Sequence, residues 1–413
     1  LHLMLYFLFP LFVSLKFKVI LFGFIFTFFS SFGQSYFLGL FNSSIREALS
    51  ISHGQFGSIY ASATLLSSFV LIWVGKKIDD INIFKFAFFV IILLSLSCFF
   101  FSKISSITIL FIAIFLMRFS GQGMMSHTAT TTISRYFTKS RGKALSTSWF
   151  GLSTAEFILP VLIIYLLTVY DWRNIWIYIS ILIILLLPIA SFILLKNLNF
   201  ESREQDNRNS KKIIIKNWKR IEVLKDYRFY ILCANMLAMP WIATGTFVYQ
   251  SFILTSKGWG PYVIAQSFMV YSVLSVLTLF IAGFLIDKFT SRKILIYMNI
   301  PLLLSVFVII YFNHPLTSFL FLGLIGVSNG LANVLGSSTW AEIYGVKHIG
   351  SIKALTTALM VFATAFGTAL FGILIDKGFS IEQIAMISGV YIFTALIMLF
   401  LVRTKLNPVK IKK

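Results

Sequence analysis

Apolar runs long enough to cross a bilayer recur along the whole chain, each bounded by charges, Gly, Pro or Asn. They fall at 18–41, 56–75, 84–102, 105–130, 143–168, 174–196, 229–256, 262–286, 292–312, 316–340, 351–374 and 382–403. A helix needs about 20 such residues to span a hydrocarbon core of about 30 Å. The pattern therefore predicts an all-α membrane protein with twelve transmembrane helices. One long polar stretch, 197–228, divides the twelve into six and six. It runs through Glu201-Ser202-Arg203-Glu204-Gln205-Asp206-Asn207-Arg208 and then Lys211, Lys212, Lys216, Lys219 and Arg220. It is too short for a soluble domain and is expected to be solvated, with some helix around Trp218. The predicted organisation is a segment 1–17 of uncertain start, a six-helix bundle 18–196, a linker 197–228, a second bundle 229–403 and a basic tail 404–413.

Composition narrows the class. Of 413 residues, 58% are hydrophobic and 12% charged, against about 45–50% and about 25% in soluble domains. Mean hydropathy is +0.90. A water-soluble enzyme, a disordered chain and a disulfide scaffold are excluded. The net charge of +21 would suggest a nucleic-acid partner on a soluble protein. On a membrane protein it reports orientation instead, because Lys and Arg collect in cytoplasmic loops. Of the 35 basic residues, 29 fall on the side of both termini and the linker. Five fall opposite: Arg46, Lys103, Arg173, Lys257 and Lys377. Both termini are thus expected inside (N-in, C-in). The first fifteen residues lack a basic n-region and a small-residue cleavage site, so no signal peptide is expected. Cys98 and Cys233 lie in apolar runs and read as small buried hydrophobes. No His, Cys and carboxylate spacing suggests a metal, and no cofactor is expected.

The halves repeat at an offset near 208. Gly75-Lys76-Lys77-Ile78-Asp79 corresponds to Gly283-Phe284-Leu285-Ile286-Asp287, and Gly121-Gln122-Gly123 to Ser328-Asn329-Gly330. Gly142 corresponds to Gly350, and Lys143-Ala144-Leu145-Ser146-Thr147 to Lys353-Ala354-Leu355-Thr356-Thr357. Parallel six-span repeats point to a transporter with a solute site between bundles near the midplane. There is no phosphate-binding loop for an ATP-driven pump, and no cluster of His and carboxylates for a membrane enzyme.

These residues carry a resemblance to the major facilitator superfamily. The loop after span eight, with Gly283, Asp287, Lys288, Arg292 and Lys293, resembles its signature. The first copy departs from it, with Asp80 and Asn82 in place of a basic residue and glycine. Arg118-Phe119-Ser120-Gly121-Gln122-Gly123 resembles the superfamily's span-four motif. A weaker likeness, to bacterial oxalate/formate antiporters and monocarboxylate porters, rests on three stretches. They are Phe32-Gly33-Gln34-Ser35-Tyr36-Phe37, Arg141-Gly142-Lys143-Ala144 and Ala341-Glu342-Ile343-Tyr344-Gly345. Span eight lacks the basic residue common in that group, and Leu159 before Pro160 departs from the drug-antiporter signature. The resemblance implies alternating access by a monomer. It implies conformational roles for Gly75, Asp79, Gly283, Asp287 and Arg292. It also implies a cavity faced by Gln34 and Tyr36 of span one, Gln122 of span four, Tyr249 and Gln250 of span seven, and Asn329 and Asn333 of span ten.

Two charges lie deep in predicted spans, Arg118 and Glu156. A charge there costs about 2.5–3.5 kcal/mol on insertion scales, so it reads as functional by default. Counted from a turn near residue 138, their depths differ by about 3 Å at 1.5 Å per residue. An ion pair is possible if both face one groove, with Glu156 as the proton-coupling carboxylate and Arg118 as its partner or as a ligand for an anionic solute. The alternative is a static packing pair. His127, two and a half turns beyond Arg118, titrates in the useful range and is a second coupling candidate, or a packing residue in a Thr-rich stretch. Pro240-Trp241 predicts a kink in span seven. The expectation is a secondary active transporter, proton-coupled, for a small organic anion such as a monocarboxylate. The alternative is a facilitator or exporter of a neutral or hydrophobic molecule. Partners are the solute, H+ and the lipid bilayer, with no nucleic acid. The Lys, Ile, Asn and Phe bias suggests a bacterial cytoplasmic (inner) membrane.

Overall fold

The computed structural model describes residues 14–137, 141–196, 216–345 and 347–409, and only the backbone of Asp79, Arg141, Asp287, Ser337 and Gly350. Segments 1–13, 197–215 and 410–413 of the expected N-terminal stretch, linker and tail lie outside the described residues. Among the described residues, twelve helices are long and apolar enough to cross a membrane. They are span one Leu15–Gly39, two His53–Ile78, three Ile83–Phe101, four Ile107–Tyr136, five Gly142–Val169 and six Trp172–Leu195. Then follow seven Tyr227–Val248, eight Pro261–Ile286, nine Ser291–Tyr311, ten Thr317–Tyr344, eleven Ser351–Asp376 and twelve Ile381–Lys405. The chain packs as two compact units, Leu1–Leu49 with Ser62–Asn209 and Ser50–Ala61 with Ser210–Lys413. The beginning of span two thus belongs to the second unit and its remainder to the first.

In the first unit, span one is not a continuous helix. It runs as Leu15–Ser30, a 3₁₀ turn Ser31–Gly33, an extended Gln34 (φ −82°, ψ 152°) and a short helix Ser35–Gly39. The break sits against span four, where Arg118–Met125 widens into a π-helical stretch. The two backbones touch. A Cβ on Gly33 would lie 2.3 Å from the Met117 carbonyl oxygen and 2.4 Å from the Gln122 nitrogen. One on Gly121 would lie 2.6 Å from the Gly33 nitrogen. Only residues without a side chain allow such an approach, the usual device where helices meet in lipid. Spans one and five also cross closely, and Thr27 donates to the Ser148 carbonyl at 2.5 Å. Spans three and six are tied reciprocally. Ser95 Oγ donates to the Ser180 carbonyl at 3.0 Å, and Ser180 Oγ to the Ser95 carbonyl at 2.8 Å. An aromatic group around buried Trp176 closes the end of the unit away from the linker. Its ring centroid lies 4.4 Å from Phe101, 5.0 Å from Phe41 and 5.5 Å from Phe37.

In the second unit, Asn299 of span nine donates to the Asn235 carbonyl (2.6 Å) and side-chain oxygen (2.8 Å), both residues fully buried. Ser267 and Ser318 join spans eight and ten at 2.8 Å. Span seven passes helically through Pro240 and breaks at Tyr249 (φ −103°, ψ 25°). The helix is continuous through Pro240, and a break follows at Tyr249.

The end of the linker is not free in solvent, as its polarity suggested. Lys216 N–H donates to the Val409 carbonyl (2.9 Å) and Trp218 N–H to the Tyr344 carbonyl (3.0 Å). Lys216 Nζ lies 4.2 Å from the Trp218 ring centroid. The Glu222 carboxylate accepts from the Lys219 N–H (2.8 Å) and pairs with Lys216 (2.9 Å). The Lys219 bond, and then Lys216, hold its carboxyl below the usual carboxylate range. This cap is therefore present at and above that range and is released only as pH falls below it, through the lowered value. Beneath it, buried Asp226 and Arg228 pair at 2.8 Å, and Tyr344 Oη donates to Asp226 at 3.1 Å. Arg228 also donates to the carbonyls of Lys405 (3.0 Å) and Asn407 (3.3 Å).

Arg228→Met leaves the Asp226 carboxylate buried and uncompensated. It should destabilise the protein by about 3–5 kcal/mol, read as a lower melting temperature in detergent. Gly33→Ala forces the first-unit backbones apart at a cost of about 1–3 kcal/mol. Gly142→Ala, where a Cβ meets nothing within 4 Å, is the control and should melt like the wild type. Equal melting of the two glycine variants would refute the contact's importance.

Candidate functional site

The break in span one exposes a carbonyl, and the buried cation of span four meets it. Arg118 is 2% exposed. Its Nη1 donates to the Gly33 carbonyl at 3.0 Å and to Ser35 Oγ at 3.2 Å. The broken helix leaves acceptors without an intrahelical donor, and a planar guanidinium can serve two at once. Within the first unit Arg118 thus donates to two acceptors of span one. Glu156 of span five, 8% exposed, lies within electrostatic reach of the Tyr36 hydroxyl, and Tyr36 is itself 2% exposed. Span one therefore carries both neighbourhoods: Gly33 and Ser35 receive the cation, and Tyr36 faces the carboxyl. Gln34 forms the extended corner between them, and Gln122 is half-buried in the widened part of span four.

The other candidates occupy different places. His127 Nε2 donates to the Gly75 carbonyl at 3.0 Å, and Arg135 Nη1 to the Ile78 carbonyl at 3.0 Å. Span four thereby clamps the 3₁₀ turn Gly75–Asp79 that ends span two. His127 belongs geometrically to that turn.

In the second unit Gln250 turns back on its own helix, donating to the Phe247 carbonyl at 2.9 Å. Asn329 donates to Ser275 Oγ at 2.9 Å and joins spans ten and eight. Asn333 is exposed. Tyr249 Oη lies 2.9 Å from the His53 carbonyl and 3.0 Å from the Thr368 carbonyl. Gly283 faces open space. Arg292 Nε pairs with Glu342 at 3.1 Å, and the same carboxylate accepts from the N–H groups of Ser291 (2.9 Å) and Arg292 (3.3 Å) and from Ser291 Oγ. Glu342 thus caps the first turn of span nine, where a carboxylate complements the helix dipole.

Two residues at these positions, Ser35 and Glu342, carried no functional expectation of their own, although each lies in a stretch that bears the family resemblance. Asp376 accepts from the Gly54 N–H at 2.8 Å and from the Ser52 hydroxyl at 2.5 Å, and partners more than 300 residues away in sequence leave no local signal.

The sequence matches the Major Facilitator Superfamily over residues 23–267 and 230–413. No curated protein matches it. Among solved structures, it is similar to a bacterial homolog of the human lysosomal transporter Spinster in an inward-facing, unoccupied conformation. Identity is 14%, the match covers 95% of this chain and 98% of that one, and the TM-score is 0.72. The nucleoside transporter NupG is also similar, at 12% identity, with 95% of this chain and 99% of that one covered and a TM-score of 0.69. At such identities the structural likeness speaks to fold, while the sequence match spans nearly the whole chain. The chain belongs to the Major Facilitator Superfamily, and is a multi-pass membrane transporter.

Proposed function

We propose that this transporter is proton-coupled, with Glu156 as the coupling group, and that it moves a small neutral organic solute by alternating access. The observation that carries the reading is the division of labour along span one. Arg118 is bonded to the Gly33 carbonyl and Ser35, while Glu156 sits buried beside Tyr36. A carboxyl at mid-span is expensive to keep as an idle charge. Binding and release of its proton give it a use, and Tyr36 offers a neighbouring hydroxyl. Arg118 then acts chiefly as a scaffold for the broken helix. His127 falls outside this pathway, as a clamp on the turn at Gly75.

The face carrying the linker is cytoplasmic on this reading, because 29 of 35 basic residues lie on it. That side would be the interior of a bacterial inner membrane, with the monomer as the working unit. Asp79, Asp287 and Arg292 retain their proposed conformational roles at that face, the last through Glu342.

A second reading is a monocarboxylate substrate. It is favoured by the burial of the Arg118 cation, 2% exposed, since an entering anion would bring compensating charge. Substrate recognition would then rest on the guanidinium.

Uptake into proteoliposomes separates the readings. Panels of radiolabelled neutral solutes and monocarboxylates are presented with and without an inward proton gradient. A neutral solute should accumulate only with the gradient. Glu156→Gln should lower that accumulation about tenfold or more, equivalent to about 1.4 kcal/mol per decade, while retaining solute exchange. Accumulation of monocarboxylates alone would transfer the assignment to the second reading. Gradient-driven accumulation by Glu156→Gln at the wild-type rate would refute Glu156 as the coupling group.

A further inference from the structure

The linker end and the tail meet within the second unit as one platform, and cations are left over once its structural bonds are assigned. Val223, in the short helix Arg220–Leu224, and Leu406 of the tail are fully buried in one core cluster with Phe229 and Tyr344. The bonds of Lys216 to the Val409 carbonyl and of Arg228 to the Lys405 and Asn407 carbonyls fasten the two strips together. Asn407 also donates to the Thr404 carbonyl at 3.2 Å and closes the turn after span twelve. Tyr230 Oη donates to the Leu224 carbonyl at 2.8 Å and ties the short helix to span seven.

A chain pinned at Val223, Asp226, Arg228 and Leu406 turns its other side chains outward. Lys219, Arg220, Lys225, Arg403 and Lys405 are all exposed. None of the five forms an ion pair among the described residues. The carboxylates beside them are already engaged. Glu222 holds Lys216 and the Lys219 N–H, and Asp226 holds Arg228 and Tyr344. The Arg403 guanidinium lies 3.6 Å from the Phe400 ring centroid, an attraction that leaves its charge uncompensated. Five like charges are therefore held in one ordered patch by bonds that neutralise none of them.

An apolar row runs beside the cations. Ile221, Leu224, Tyr227 and Tyr230 recur every three residues from the short helix into span seven, and all are exposed. Phe400 and Leu401 are exposed on the last turn of span twelve. Span seven begins at Tyr227 and span twelve ends at Lys405. The apolar row thus falls where hydrocarbon gives way to headgroups, the level that tyrosine favours. Lys and Arg just beyond a span end attract anionic lipid phosphates. A soluble anion would satisfy the cations but would make no use of the apolar row.

We propose that this platform binds the headgroup of an anionic phospholipid, with the five cations toward its phosphate and the row Ile221–Tyr230 against its acyl chains. The bound lipid fastens the linker end and the tail to the bilayer. The surface depends neither on the solute nor on proton coupling.

Native mass spectrometry of the detergent-solubilised protein tests the surface, with phosphatidylglycerol and phosphatidylcholine of the same acyl chains as probes. The wild type should retain phosphatidylglycerol in preference. Replacing all five cations by Gln should weaken phosphatidylglycerol binding about tenfold or more and leave phosphatidylcholine binding unchanged. Lys219→Arg, Lys225→Arg and Lys405→Arg together keep the charge and should keep the preference. Arg403→Gln with Lys405→Gln should weaken phosphatidylglycerol binding. The matched pair Lys85→Gln and Lys196→Gln removes two exposed cations near the linker-side ends of spans three and six and should not. Equal losses in the two pairs would show a diffuse attraction and overturn the site. Hydrogen–deuterium exchange in lipid nanodiscs then locates the lipid. Peptides covering 216–230 and 403–409 should exchange more slowly with phosphatidylglycerol than with phosphatidylcholine, and the five-Gln variant should lose the difference. Absence of that difference in the wild type would overturn the proposal. Equal protection by glycerol phosphate added to phosphatidylcholine nanodiscs would assign the patch to free phosphate and overturn the lipid.

Discussion

The first unit depends on one close approach, the contact of Gly33 with Gly121. A backbone without side chains on either partner lets span one break directly against span four. The break frees a carbonyl in a region where water is scarce, and an unsatisfied group there is costly. Arg118 supplies the donor. The cation in turn needs acceptors, and the same break provides the Gly33 carbonyl and Ser35. Each feature makes the other tolerable, so the glycines, the break and the arginine form one unit of design. Glu156 and Tyr36 then fall beside that corner, because span five crosses span one and Tyr36 is one residue beyond Ser35.

The second unit solves a comparable problem with different chemistry. Its first span breaks as well, at Tyr249 rather than at the proline two turns earlier. Proline removes one donor, yet the helix continues through Pro240, in keeping with the tolerance for proline where neighbours re-satisfy the backbone. At that break the Tyr249 hydroxyl donates to carbonyls of other segments, His53 and Thr368, whereas Arg118 of the first unit donates to a carbonyl of the broken helix itself. The first unit thus carries a buried charge near its break and the second a neutral polar group.

What the sequence revealed follows the range of the interactions. The twelve spans were visible because hydrophobic run length is a local property. Arg118 and Glu156 stood out because a charge in an apolar run needs no partner to be noticed. Their direct pairing was a matter of which way each side chain turns about its helix. Depth arithmetic could not fix that, and within the unit Arg118 turns to span one. The docking of Lys216 and Trp218 was likewise hidden, since polar composition does not say which carbonyls a polar residue will find. The cap that Ser52 and Gln55 form at the start of span two was not among the expectations drawn from the sequence. Asp376, which completes it, comes from the far end of the chain.

The polar contacts of the described residues fall into two kinds, and the difference bears on motion. Asn235 with Asn299, Ser95 with Ser180, and Asp226 with Arg228 are buried. Breaking any of them strands a polar group away from water, so they serve as rigid ties. The cap on span two and the Glu222 cap on the linker end are reachable by water, which can take over each bond as it opens. A transporter must move without exposing stranded groups in lipid. Its joints are therefore expected where solvent can substitute for protein, and its rigid bodies where it cannot. The placement of buried ties inside each bundle, with exchangeable caps at helix ends, satisfies that requirement with neutral amides and hydroxyls through most of the spans. On the proposed reading, Glu156 is the carboxyl whose proton changes without dismantling one of these ties.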